Sequence, residues 1–254
     1  MPTVLEIFHK LCEYAPLELQ MDFDNSGFLV GRGEREVIKA LLSLDITLPV
    51  IREAEEMDAD LIISHHPLIF HALKELCPNG PGEKALLLAE KGIAAICMHT
   101  NLDITQGGVN DVLIRLLGAE PVQALDADGC GRVGTLPEEM PLSDFLARCK
   151  DRLQAKGLRY VDGGRPVRRI AVMGGSGGDA FPEAMEKGCD TYVTADVKYH
   201  SFLDAAELGL NLIDADHYCT ENPVIPVLAD RLRAAFPDVE FAVSNYHHQM
   251  ISFF

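Results

Sequence analysis

The chain has no apolar run near the roughly 18 residues a membrane-spanning helix needs, no cysteine pair spaced C-x-x-C, and few basic residues, 22 Lys and Arg against 39 Asp and Glu. Each shortage excludes something. The first removes a spanning helix. The start Met-Pro-Thr-Val-Leu-Glu-Ile also lacks a basic stretch followed by an apolar one, so no secretory leader is expected and a cytoplasmic location is. The second removes a thiolate zinc site. The seven cysteines are odd in number and scattered, which argues against a disulfide scaffold and for reduced, mostly buried thiols. Cys219 lies between His217 and Glu221 and is expected to pack, because one thiol among hard nitrogen and oxygen ligands is a mismatched set. The third shortage leaves a net charge of -17, which opposes binding to nucleic acid and to anionic membranes and attracts cations.

With 48% hydrophobic and 24% charged residues, 254 residues suffice for one large or two small domains. Helix and strand patterns alternate. Thr3 and Glu6 form a capping box before the stripe Val4, Ile7, Phe8, Leu11. Asp24-Asn25-Ser26-Gly27 is a turn before the strand Phe28-Leu29-Val30. Then come a strand at 38–44, a helix at 50–57, a strand at 61–64, a helix at 83–91 closed by Gly92, and a strand at 93–98. The order predicts an α/β fold with mixed, mostly parallel sheets. The turn-rich stretch 124–134 reads as a boundary between a first domain, 1–125, and a second, 126–254.

A repeat runs across that boundary. Residues 53–66 align with 183–196 at an offset of 130, Leu44-Asp45 with Gly174-Gly175 at the same offset, and 89–92 with 206–209 at an offset of 117, which sets His99 against Asp216. Three blocks in one order with one loop-length change predict an internal duplication.

Three clusters follow predicted buried strands: His65-His66-Pro67 after 61–64, His99-Thr100-Asn101-Leu102-Asp103 after 94–97, and His217-Tyr218-Cys219-Thr220-Glu221 after 210–213. Strand ends are where α/β proteins build sites. Successive strand residues face opposite ways, so His65 and His66 serve one pocket only past the strand, where Pro67 biases His66 to extended dihedrals. The two rings could then reach two ions rather than chelate one. Asp103 follows His99 in a segment without helix signals, whereas Asn222-Pro223 permits one helical turn carrying His217 and Glu221 on one face. Imidazoles and carboxylates in this mixture suit a pair of divalent transition ions.

Other residues carry weaker signals. Gly174-Gly175-Ser176-Gly177-Gly178 reads either as an anion-binding nest or as a plain turn, and it is not a P-loop. His71, His200 and Lys198 are read as substrate-facing or solvent-exposed, His247-His248 as an exposed strand edge, and His9 as ordinary surface.

The runs His65-His66-Pro67-Leu68-Ile69-Phe70, His99-Thr100-Asn101-Leu102-Asp103, Asp196-Val197-Lys198-Tyr199-His200 and 214–221, with Asp24-Asn25-Ser26-Gly27, resemble the NIF-three-like family, the GTP cyclohydrolase I type 2 homologues, in order and spacing over nearly the whole chain. The resemblance implies two similar intertwined α/β domains, C-terminal strands exchanged between them, without the extra domain of longer members. It implies a dinuclear centre with His65, His66, Asp103, His217 and Glu221 as ligands, two divalent ions per subunit (Zn, Mn, Fe, Co or Ni), and a toroidal homohexamer, a trimer of dimers. Phe23 stands where the family usually has Trp, Asp216 where Gly is common, and Ser244-Asn245-Tyr246-His247-His248 differs from the usual Asn-Pro.

The function expected from site and resemblance together is metal-dependent hydrolysis of a nucleotide or other small polar substrate, GTP cyclohydrolase-like in form, with His99 as proton-transfer group. The competing class is a metal-binding protein for storage, delivery or sensing, or an oligomeric scaffold. Lys198, His200, His99 and the glycine-rich turn favour the enzyme, since storage needs little beyond ligands.

Overall fold

Thr3 caps the first helix, α1 (Val4–Tyr14): its hydroxyl accepts from the Glu6 amide at 3.3 Å while the Glu6 carboxylate accepts from the Thr3 amide at 2.7 Å. Val4, Ile7 and Leu11 on one stripe of α1 are buried. The structure is a computed structural model and describes residues 1–80 and 82–254. It divides into two units, Met1–Thr105 with Ile225–His248, and Gln106–Val224 with Gln249–Phe254.

The first unit continues with β1 (Gly27–Val30), β2 (Lys39–Ser43), α2 (Leu48–Glu56), β3 (Leu61–Ser64), α3 (Glu83–Lys91), β4 (Ala94–Cys97) and α4 (Thr100–Ile104). Strands β2, β3 and β4 are parallel neighbours and β1 runs antiparallel on β4. Helix α2 starts two residues before its predicted start because Thr47 caps it, accepting from the Val50 amide, with Pro49 in the first turn. Gly92 closes α3 in the left-handed region at φ 67°, as its position predicts. Helix α4 departs from expectation. Thr100 and Asn101 carry no helix pattern, and tertiary bonds hold the turn: the Asn101 side chain donates to the Ala15 carbonyl at 2.7 Å, and the Thr100 amide to Asp24 at 3.0 Å.

The second unit contains α5 (Val109–Leu116), β5 (Glu120–Ala124), β6 (Arg132–Met140), α6 (Leu142–Arg152), β7 (Arg159–Val161), β8 (Val167–Val172), α7 (Phe181–Glu186), β9 (Thr191–Thr194), α8 (Tyr199–Glu207), β10 (Asn211–Asp214) and α9 (His217–Glu221). Its sheet has the order β5-β6-β8-β9-β10-β7, with β8, β9 and β10 parallel. Ile170, Val172 and Ile213 pack on one face, Ala171, Leu210 and Leu212 on the other, so these strands read as unbroken apolar runs. The stretch 124–134 forms the β5–β6 hairpin, with the Cys130 amide on the Asp126 carboxylate at 2.7 Å, inside this sheet. Its turn chemistry is that of a hairpin, and the division between the units falls at 105/106.

The chain then returns to the first unit. After α10 (Val224–Ala235), β11 (Glu240–Val243) runs parallel to β2, giving the order β1-β4-β3-β2-β11. Among the described residues no helix is long and apolar enough to cross a membrane. The protein is therefore α/β with two mixed sheets.

The aligned sequence blocks fall on corresponding strands. Strand β3 at 61–64 corresponds to β9 at 191–194, and β4 at 94–97 to β10 at 211–214. Asp60 accepts from the amides of Ile38 and Lys39, and Asp190 accepts from those of Arg168 and Arg169. In each unit this carboxylate ties the start of one parallel strand to the start of the next.

Burial would raise the Asp60 carboxyl, but the Ile38 amide, the Arg35 guanidinium and the Lys39 amide together hold it below its ordinary value. Its folded pKa lies under the unfolded one, so its stabilisation is present above the unfolded carboxylate range and fades as pH falls through the folded value. Asp60→Ala is expected to cost about 1–3 kcal/mol at pH 7, with the gap to the native protein narrowing towards pH 3. Urea unfolding at the two pH values checks this, and an equal gap at both would contradict it.

Candidate metal centre

Parallel strands end on the same side of a sheet, so the residues after β3 and β4 emerge together. The β2–β3 ladder continues one step past β3, with the amides of His65 and His66 donating to the carbonyls of Ser43 and Leu44 at 3.3 and 2.9 Å. The Ser64 hydroxyl donates to the His66 carbonyl at 2.7 Å. This rigid corner and His99, at the N-cap of α4, bring three imidazoles together. Ring centroids lie 5.0 Å (His65 to His66), 5.2 Å (His65 to His99) and 5.5 Å (His66 to His99) apart, and one nitrogen from each ring lies within 4.8 Å of the others.

Their Nδ1 atoms settle what the rings can do. His65 Nδ1 meets the Met98 carbonyl at 2.9 Å, His66 Nδ1 meets Asp45 at 2.7 Å, and His99 Nδ1 meets Asp24 at 2.7 Å. Burial alone would raise the Asp24 and Asp45 carboxyls. Hydrogen bonds from His99 and Thr100 to Asp24, and the imidazoles of His247 and His66 beside Asp45, hold both well below the usual carboxylate range. Each Nδ1 therefore faces an acceptor and donates, which in the neutral ring leaves the lone pair on Nε2. Asp103, buried on α4, places Oδ1 3.7 Å from Nε2 of the fully buried His65. One turn of α4 accounts for the His99 to Asp103 spacing.

In the second unit Asp216 turns the chain out of β10 at φ 75°, a conformation that favours glycine, and caps α9 through the Cys219 amide at 3.2 Å. One turn then sets His217 Nε2 3.1 Å from the buried Glu221 carboxylate, while His217 Nδ1 meets Asp196 at 2.7 Å. Gly175, at φ 65°, makes this possible, because a Cβ there would overlap the Glu221 carboxylate and lie 3.2 Å from His217 Nε2.

Imidazole nitrogens backed by acceptors on the opposite ring atom, accompanied by carboxylates, are the donor chemistry that a divalent transition ion takes. His65, His66, Asp103, His217 and Glu221 can each supply such a donor, and His99 has the same build. Burial, then the Asp216 carboxylate, push the Cys219 thiol up to about 12, so it packs as a neutral thiol.

The secondary candidates sort by their contacts. The amides of Gly174, Gly175 and Gly177 bond Asn110, Thr220 and the Gly175 carbonyl, so the glycine run makes room for Glu221 rather than an anion. Lys198 pairs with Asp179 at 2.6 Å. His9, His71 and His200 are exposed. His247 is no exposed edge: it is buried, with Nε2 2.9 Å from Asp45. Asp24, Asp45 and Asp196 went unread as the groups that orient His99, His66 and His217. An Asp in a turn or at a strand end is too common to stand out. The repeat carried one hint, since it pairs His66 with Asp196.

Fold and donor sets define a two-sheet α/β protein with clustered imidazoles and carboxylates that could bind metal ions. The family model described as Duf34/NIF3 (NGG1p interacting factor 3) matches residues 2–250, and the chain belongs to that family. A Clostridium perfringens protein named GTP cyclohydrolase 1 type 2 homolog is 37% identical over 249 residues, covering 94% of this chain and 95% of its own. The crystal structure of the Staphylococcus aureus hypothetical protein SA1388 matches with a TM-score of 0.93 at 29% identity, covering 100% of both chains. A Bacillus cereus protein related to NIF3 matches with a TM-score of 0.92 at 25% identity, covering 100% of this chain and 99% of its own.

Gly175→Ala is expected to destabilise the protein by about 1–2 kcal/mol from the left-handed backbone alone and to swing Glu221 away from His217. Urea unfolding and a crystal structure of the variant check both. A native Glu221 rotamer at unchanged stability would contradict the role given to Gly175.

Proposed function

We propose that the protein is a metal-dependent hydrolase holding two divalent ions per chain, with His65, His66, Asp103, His217 and Glu221 as ligands and His99 as proton-transfer group. The observation that carries this reading is a cluster of three imidazoles, one nitrogen of each within 4.8 Å of the others, whose Nδ1 atoms are spent on acceptors and whose Nε2 atoms are left for ligation. Bound divalent ions supply Lewis acidity and a water-derived nucleophile at neutral pH. The chain's own groups do the rest. Asp24 fixes the proton on His99 Nδ1, leaving Nε2 to accept one from a reacting group and return it to a leaving group. Asp24 is itself held by the Thr100 and Asn25 amides and the Ser26 hydroxyl, so His99 keeps one orientation.

The substrate class is a nucleotide or another small polar molecule, and the name carried by the Clostridium perfringens relative puts GTP first in the screen. Hydrolytic opening of a purine ring at C8 is the form the reaction takes on this reading. Nitrogen and oxygen ligands of this kind accept Zn, Mn, Fe, Co and Ni alike. We also infer that the units descend from one duplicated, intertwined unit, a reading supported by the matched carboxylates Asp60 and Asp190 and by β11 pairing on β2. Assembly as a toroidal hexamer in the cytoplasm belongs to the same proposal, and Met250, Ile251 and Phe254 supply exposed apolar surface for it.

Metal analysis of protein purified without chelator or tag is expected to give near two ions per chain, lost in His66→Ala and in Glu221→Ala. GTP and a panel of nucleotide, amide and phosphoester substrates should then include one that the loaded protein turns over and the variants do not. Absence of stoichiometric metal overturns the proposal. Metal without turnover of any substrate overturns the hydrolase and favours storage or delivery. Light scattering is expected to give about six chains per particle, and a monomer would remove the ring.

A further inference from the structure

We propose that His247, near the C-terminal end of the chain, is a positioning residue for the metal centre, acting through Asp45 to hold His66 in its ligating orientation. This rests on the reading of His66 as a metal ligand.

The C-terminal segment is delivered to the site by β11. Val243 pairs with Leu42, the Ser244 amide donates to the Leu42 carbonyl at 2.8 Å, and the chain then turns beside Asp45, the second residue after β2. Glu53, largely buried on α2, clamps the turn. Its carboxylate accepts from the amides of Asn245 and Tyr246 at 2.8 and 3.3 Å and from the Ser244 hydroxyl. The Ser244 oxygen in turn accepts from the His247 amide at 3.1 Å, and the Tyr246 hydroxyl donates to Glu56 at 2.8 Å. These bonds fix the backbone of His247, whose side chain is only 5% exposed, with Nε2 2.9 Å from Asp45 Oδ2. The other oxygen, Oδ1, takes His66 Nδ1 at 2.7 Å.

A comparison inside the same unit shows why Asp45 needs this second imidazole. Asp24, the partner of His99, has a side chain with no exposed surface and four further donors from Asn25, Ser26 and the amide and hydroxyl of Thr100. It stays in place whatever His99 does. The Asp45 side chain is 41% exposed; its carboxylate has the His66 hydrogen bond on Oδ1 and the His247 imidazole 2.9 Å from Oδ2. Without His247 it would be a surface carboxylate free to turn towards water, and the orientation of His66 would turn with it. His247 thus does for Asp45 what Thr100, Ser26 and Asn25 do for Asp24.

The test uses full-length His247→Ala, His247→Phe, which fills the space without a donor, and His247→Gln, whose side-chain amide can still donate to Asp45. Two quantities are read: zinc affinity by competition with a chromophoric chelator, and the His66 Nδ1 proton resonance in metal-free, nitrogen-15 histidine-labelled protein. Removing an outer partner of a metal ligand typically weakens binding about 10- to 100-fold. The Ala and Phe variants are expected near the lower end of that range, with the His66 proton lost to exchange, while Gln retains both the resonance and most of the affinity. Asp45→Ala should reproduce the loss. Native affinity and an unchanged His66 resonance in the Ala and Phe variants would overturn the proposal, as would a Gln variant no better than Phe. Should the native protein bind no zinc or other metal, the hydrolase reading falls, and the metal-free proton resonance alone decides whether His247 positions His66.

Discussion

Hydrogen bonds at Nδ1 are the constraint on which the candidate centre depends. An unanchored imidazole can rotate, flip tautomer or take a proton, and in each case its ligating lone pair is misplaced or lost. Here His65 is tied to a backbone carbonyl and His66, His99 and His217 to carboxylates, all at 2.7 to 2.9 Å. Those acceptors come from the positions after strands or from the turn before β1, so the sheets set the ring orientations. The proposed metal chemistry, the proton transfer proposed for His99 and the part proposed for His247 all presuppose these bonds.

The sheets reach the same result twice with different residues. In both units an aspartate ties the starts of parallel strands, and the strand ends then present the side chains that matter: His65 and His66 after β3, Asp196 after β9, His99 after β4, His217 after β10. The same helical turn serves Asp103 in α4 and Glu221 in α9. Across the aligned blocks, scaffold and position correspond while the chemistry differs. His66 corresponds to Asp196, a ligand candidate on one side and the carboxylate that orients one on the other. Gly175 corresponds to Asp45 in the same manner: one leaves room for Glu221, the other holds His66.

Sequence reading located β3, α3, the turn at His217–Glu221 and the capping box of α1, because each depends on local pattern or cap chemistry. It missed α4, which tertiary bonds to Ala15 and Asp24 hold against weak local propensity. It read 124–134 as a boundary because hairpin turns and linkers share glycine and aspartate. The ligand candidates were legible as clustered imidazoles and carboxylates at strand ends. Their orienting partners were not. Asp24 lies 75 residues from His99, and His247 reaches Asp45 through a strand pairing no local pattern specifies. The glycine run was visible, but its purpose emerges only when a Cβ at Gly175 is set against Glu221.

The most direct measurement is an anomalous-difference map from crystals of protein purified without chelator, recorded on both sides of the absorption edge of the metal found by elemental analysis. The account expects peaks about 2.0–2.1 Å, for zinc, from Nε2 of His65 and of His66, with Nδ1 of each ring still on its present acceptor. A map without peaks there, or peaks on Nδ1 with the rings turned over, would contradict it.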